Sequence, residues 1–95
     1  MSEHRRVRLR VSGRVQGVGF RRFVERSGEA LGLAGWVRNG PDGSVELEVE
    51  GDPDDIDSLR ANVKRGPPTA IVRDVVEVPA HPGPPLPRPF AVRYD

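Results

Sequence analysis

The chain has 95 residues, 36% hydrophobic and 31% charged, with 15 basic and 14 acidic side chains and a net charge of +1. That length predicts one domain, residues 1–95, with a small core, and the near-balance of charge argues against a nucleic-acid partner. It has no cysteine, no apolar run near the roughly 20 residues of a membrane span, and a charged N-terminus, so no disulfide scaffold, thiolate metal site, membrane-spanning helix or secretory signal is expected, and a cytoplasmic setting is.

Residues 1–5 are expected to form a disordered tail. Arg6 to Ser12 alternates strictly: Val7, Leu9 and Val11 face one way, Arg6, Arg8 and Arg10 the other. This predicts a strand with one buried face. Gly13, Gly17 and Gly19 fall in the next seven residues, and from Phe20 the apolar period becomes helical, through Phe23, Val24, Ala30 and Leu31. Gly32 is a fitting C-terminal stop; Gly28 inside the helix is expected to weaken it by about 1 kcal/mol. A second strand is read at Leu33 to Arg38, with Trp36 assigned to core packing and Arg38 to solvent.

The turn-rich Asn39-Gly-Pro-Asp-Gly43 leads into a third strand, Ser44 to Glu50, where Val45, Leu47 and Val49 alternate with glutamates. Asp52 is the expected N-cap of a second helix, with Pro53 at its first position and Asp54 and Asp55 at its positive end. Ile56, Leu59 and Val63 form its buried stripe, and Gly66-Pro67-Pro68 stops it. A fourth strand follows from Ala70 to Val78, its facing left open by the adjacent Val75 and Val76. Residues 79–89 hold six prolines in 11 positions and predict an extended loop or spacer. A short last strand is expected at Phe90 to Tyr94.

The order β-α-β-β-α-β plus a terminal strand predicts an α+β, ferredoxin-like split β-α-β fold, with two helices on one face of a mostly antiparallel sheet. In that topology the arginines of the first strand lie beside the glutamates of the third. Screened cross-strand ion pairs are expected on the open face.

The glycine-bearing turn is the most informative segment. Such a backbone can curl so that successive N–H groups point to one spot, the helix dipole adds positive potential, and Arg21 follows in the first turn. By itself this pattern suits either a phosphate-sized cradle or an ordinary strand-to-helix turn, and the second is the commoner. His4 and His81 have no partner at ligand spacing, so no metal site is expected.

The wording of two segments, Gly13-Arg-Val-Gln-Gly-Val-Gly-Phe-Arg21 and Gly35-Trp-Val-Arg-Asn-Gly-Pro-Asp-Gly43, closely resembles the acylphosphatase family. The Gly51-Asp-Pro53 helix start, Arg65-Gly-Pro-Pro68 and the terminal Phe90-Ala-Val-Arg-Tyr94 are similar as well. The resemblance implies metal-independent, cofactor-free hydrolysis of small acyl phosphates, with substrate and water as the partners; a monomer is expected because no large apolar surface stripe remains once the core is assigned. The resemblance also implies that Arg21 grips the phosphoryl oxygens with the main-chain amides of Arg14, Val15, Gln16, Gly17, Val18, Gly19 and Phe20, and that Asn39 holds the attacking water. Gly40 and Ser44 stand where relatives often carry a hydroxyl or larger residue and threonine; Gly40 is expected to loosen the loop around Asn39.

Two alternatives compete. A non-catalytic ferredoxin-like binding or regulatory module is one, but RNA binding would want aromatic side chains on the open face, where arginine and glutamate are expected. The other is a module of larger carbamoyl-transferring maturation proteins; with no partner domain before Asp95, a stand-alone enzyme is the expectation.

Overall fold

A computed structural model describes residues 4–80 and 82–94. The elements follow the predicted order: β1 (Arg5–Arg14), α1 (Phe20–Ala30), β2 (Ala34–Asn39), β3 (Val45–Gly51), α2 (Pro53–Arg65), β4 (Ile71–Val78) and β5 (Ala91–Val92). The sheet order is β4-β1-β3-β2-β5. β1 runs antiparallel to β3 and β4, β2 antiparallel to β3, and β5 parallel to β2. No helix among the described residues is long and apolar enough to cross a membrane.

Alternation along β1 and β3 puts Val7, Leu9, Val11, Val45, Leu47 and Val49 under the helices, all nearly inaccessible. Phe20 and Val24 of α1 and Ile56, Leu59 and Val63 of α2 close over them. β4, an edge strand, is exposed or half-exposed throughout, so both Val75 and Val76 see solvent to some degree and no clean alternation was there to read. The strand begins one residue before the predicted start: Arg5, assigned to the tail, already pairs with Gly51. His81 and residues 1–3 lie outside the described residues.

Gly28 is a requirement of packing. The Phe90 ring lies against both Gly28 of α1 and Gly35 of β2, and a Cβ at either position would overlap it. The helix gives up intrinsic stability at Gly28, and the core gains a fully buried aromatic. The proline-rich loop also does more than span a gap. Leu86 is buried, the Pro87 carbonyl accepts from Gly35 N–H at 2.8 Å, and Arg6 donates to the Pro84 carbonyl at 3.1 Å.

The open face departs from expectation in two ways. The arginine–glutamate pairs form: Arg6 Nε–Glu48 at 2.6 Å, Arg8–Glu46 at 3.5 Å and Arg38–Glu46 at 3.5 Å. Glu48, however, keeps only 4% of its side-chain exposure, so its pairs are shielded rather than screened. Trp36 is buried on this face, outside the helix-covered core, with the guanidiniums of Arg8, Arg38 and Arg93 5.0–5.3 Å from its ring centroid. Arg38 is therefore a half-covered lid on the indole and not a solvated side chain. The π-face attracts the cations, and Glu46 and Glu48 offset their mutual repulsion.

Candidate active site

β1 delivers the chain to a tight curl at one end of the sheet. Arg14 still belongs to the ladder, paired with Ile71, so the curl proper starts at Val15. Gly17 (φ 73°) and Gly19 (φ 79°) hold left-handed backbone that a side chain would strain. Gly19 is the N-cap of α1, and no side chain caps this helix. Among the described residues, the N–H groups of Val15 to Gly19 donate to no protein acceptor. With the first amides of α1, whose N–H groups have no partner within a helix, they make a concentration of unpaired donors at the positive end of a dipole.

Two polar tethers hold the curl in place of its own hydrogen bonds. Thr69 Oγ1 donates to the Val18 carbonyl at 2.7 Å. Gln16 Nε2 donates to the carbonyls of Gly40 and Ser44 at 3.0 and 2.9 Å. The second tether ties the curl to the turn that follows Asn39. Sequence reasoning assigned Gln16 only its main-chain amide; the side chain's reach across 24 positions had no local signal.

Asn39 closes β2 in one row with Val45 and Val11 across three strands. Its Oδ1 is buried and accepts no hydrogen bond from any described residue. Buried polar atoms without partners are rare in folded proteins. The turn after it carries hydrogen bonds at both the N–H and the carbonyl of Gly40. Gly40 N–H donates to the Ser44 carbonyl at 2.7 Å, and its own carbonyl is held by Gln16. A Cβ at Gly40 would press on Ser44 Oγ, which instead bonds the Asp42 carboxylate. Those bonds, from the Ser44 hydroxyl first and its N–H second, pull the Asp42 carboxyl below its ordinary range.

Arg21 lies in the first turn of α1, half-buried. It lines a cleft of about 290 Å³ with Gly17, Gly19, Glu25, Val92 and Tyr94. Its Nη1 donates to the Arg93 carbonyl at 3.4 Å, and its guanidinium sits 4.8 Å from the Tyr94 ring centroid. Arg93 N–H in turn bonds the Val37 carbonyl, two residues before Asn39. Arg21 and Asn39 thus occupy the same end of the sheet, linked through Arg93 on one side and Gln16 on the other, and among the described residues no hydrogen bond joins the two. Among the described residues, no three His, Cys, Asp or Glu side chains cluster as a metal site would require.

Fold and site together define a split β-α-β domain with an amide-lined, arginine-flanked hollow at one sheet end. The acylphosphatase family profile matches residues 7–89. An acylphosphatase of Caldivirga maquilingensis is 54% identical over 91 residues, covering 95% of each chain. The crystal structure of an acylphosphatase from Bacillus subtilis superimposes with a TM-score of 0.80 at 39% identity, covering 97% of this chain and all of the other. Full-length HypF, in a phosphate- and nucleotide-bound form, carries a similar fold (TM-score 0.84, 25% identity) in 13% of its length. The chain belongs to the acylphosphatase family.

Proposed function

We propose that the protein hydrolyses small acyl phosphates as a single domain, with the curl and Arg21 holding the phosphoryl group and Asn39 positioning water. The observation that carries this reading is the pairing of unmatched groups at one sheet end: donors on the curl, and an orphaned acceptor on Asn39. An anion satisfies the first and a water the second.

The chemistry asks little more. The water oxygen attacks phosphorus as the P–O bond to the acyl group breaks, and the bonding pair leaves on the carboxylate. The water proton passes to a phosphate oxygen, so an acyl phosphate dianion gives a carboxylate and dihydrogen phosphate. Because a carboxylate leaves readily, no strong general acid is needed, and positioning with charge stabilisation does the rest. The planar guanidinium of Arg21 suits two phosphoryl oxygens at once. Gripping them requires it to turn from the Arg93 carbonyl, a long bond that is readily exchanged. Asn39 accepts from the attacking water through Oδ1.

The test is release of inorganic phosphate from acetyl phosphate and benzoyl phosphate, with chelator present, beside an aryl phosphate monoester. Rapid release from the acyl phosphates and little from the monoester is expected. No release from either acyl phosphate contradicts the reading.

A further inference from the structure

Beside the curl, α1 and the segment entering β4 enclose a second hollow of about 460 Å³. Val18, Phe23 and Pro67 supply its apolar surface, and Arg22 and Arg26 its charge; no acidic residue lines it. It shares Gly19 and Arg22 with the anion cleft. A molecule whose phosphate sits at the start of α1 can therefore place its remaining atoms beside this hollow. Val18 and Phe23 are only partly covered by the core. Arg22 and Arg26 are exposed, four positions apart on one side of the helix. Among the described residues neither has a hydrogen-bond or ion-pair partner. Arg26 stands seven residues after Gly19, about 10 Å along the helix axis, and helical side chains lean back toward the N-terminus.

We propose that this hollow receives the acyl part of the substrate, and that Arg26 is a specificity-determining residue favouring acyl phosphates with a second anionic group on an apolar acyl body. The inference rests on the acyl phosphate reading above and names the substrate class it serves. The apolar surface covers the body of the acyl group, and the unpaired guanidinium meets a carboxylate or phosphate at its far end.

The test compares kcat/KM of the full chain for 4-carboxybenzoyl phosphate and 4-methylbenzoyl phosphate, which share a body and differ in the distal charge. At low salt the carboxylate is expected to be favoured about threefold to fivefold, the range of one exposed charge pair. The ratio should shrink toward one near about 0.5 M salt. Arg26→Gln should bring it to one at low salt. Arg5→Gln, which removes the same charge at the opposite end of β1, should preserve it. A ratio of one in the unaltered protein, a ratio retained in Arg26→Gln, or equal loss in both variants overturns the role of Arg26. Failure to hydrolyse either substrate or acetyl phosphate overturns the acyl phosphate reading itself, and this inference with it.

Discussion

The two helices begin in opposite ways. α2 satisfies its own N-terminus: Asp52 caps it, accepting from Asp54 N–H at 2.9 Å, Pro53 occupies the first turn, and Asp54 and Asp55 oppose the dipole. α1 has none of these. A glycine stands at its cap, no acid lies in its first turn, and Arg21 and Arg22 add positive charge where the dipole is already positive. As a matter of stability α1 is badly started. Local rules are broken where function needs them broken, and an N-terminus left unsatisfied by its own chain is one an external anion can complete.

The contrast can be broken most severely at the site itself. Arg21→Ala and Asn39→Ala are each expected to lower kcat/KM for benzoyl phosphate by about 10²–10³-fold, the scale of losing one charge-stabilising or positioning group, with the melting temperature little changed. Gly19→Asp makes α1 resemble α2 by giving it a carboxylate of its own. That charge repels the substrate, and the left-handed backbone adds strain. Phosphate affinity by titration calorimetry should fall at least about tenfold.

Gln16→Ala attacks the tether. It leaves the Gly40 carbonyl without a donor and the Ser44 carbonyl with Gly40 N–H alone, so denaturant unfolding should show a loss of about 1–2 kcal/mol, with a fall in kcat as Asn39 and the curl lose registration. Asp52→Ala breaks the self-capped helix instead. It should cost about 1 kcal/mol in the same assay and leave kcat/KM as it was. The smallest effect concerns Asp42. Its carboxyl is held below its ordinary value by Ser44, so its contribution to stability is complete above the unfolded value of about 4 and is lost as pH falls through the lower, folded one. The difference in melting temperature between the protein and Asp42→Asn should be constant above about pH 5 and close as the pH drops below about 4.

How much of this was legible in the sequence depended on whether the physical cause was local. Alternation in β1 and β3 and the Asp52-Pro53 start of α2 each reflect forces within a few residues, and those elements were placed to within a residue or two. β4 kept its facing hidden because an edge strand exposed on both sides imposes no alternation. Gly28 was read as a defect because the ring that needs it, Phe90, is 62 positions away. Trp36 was assigned to the core on residue type, and only the sheet register shows three arginines around it. At the site, the glycines and the arginine suited a phosphate-sized cradle and an ordinary strand-to-helix turn alike, and it was the resemblance in the motifs that singled out Arg21 and Asn39. The side-chain bond from Gln16 to Gly40 and Ser44, the Thr69 tether and the stacking of Tyr94 on Arg21 are tertiary contacts without a local pattern.

The central claim is a division of labour: the curl with Arg21 binds the phosphoryl group, and Asn39 positions water. Inorganic phosphate affinity, measured by calorimetry beside kcat for benzoyl phosphate in Arg21→Ala and Asn39→Ala, tests it most directly. The account predicts that Arg21→Ala loses phosphate binding, whereas Asn39→Ala binds phosphate within about threefold of the unaltered protein and yet turns over at least about 10²-fold more slowly. Strong phosphate binding in Arg21→Ala, or near-normal kcat in Asn39→Ala, would contradict it.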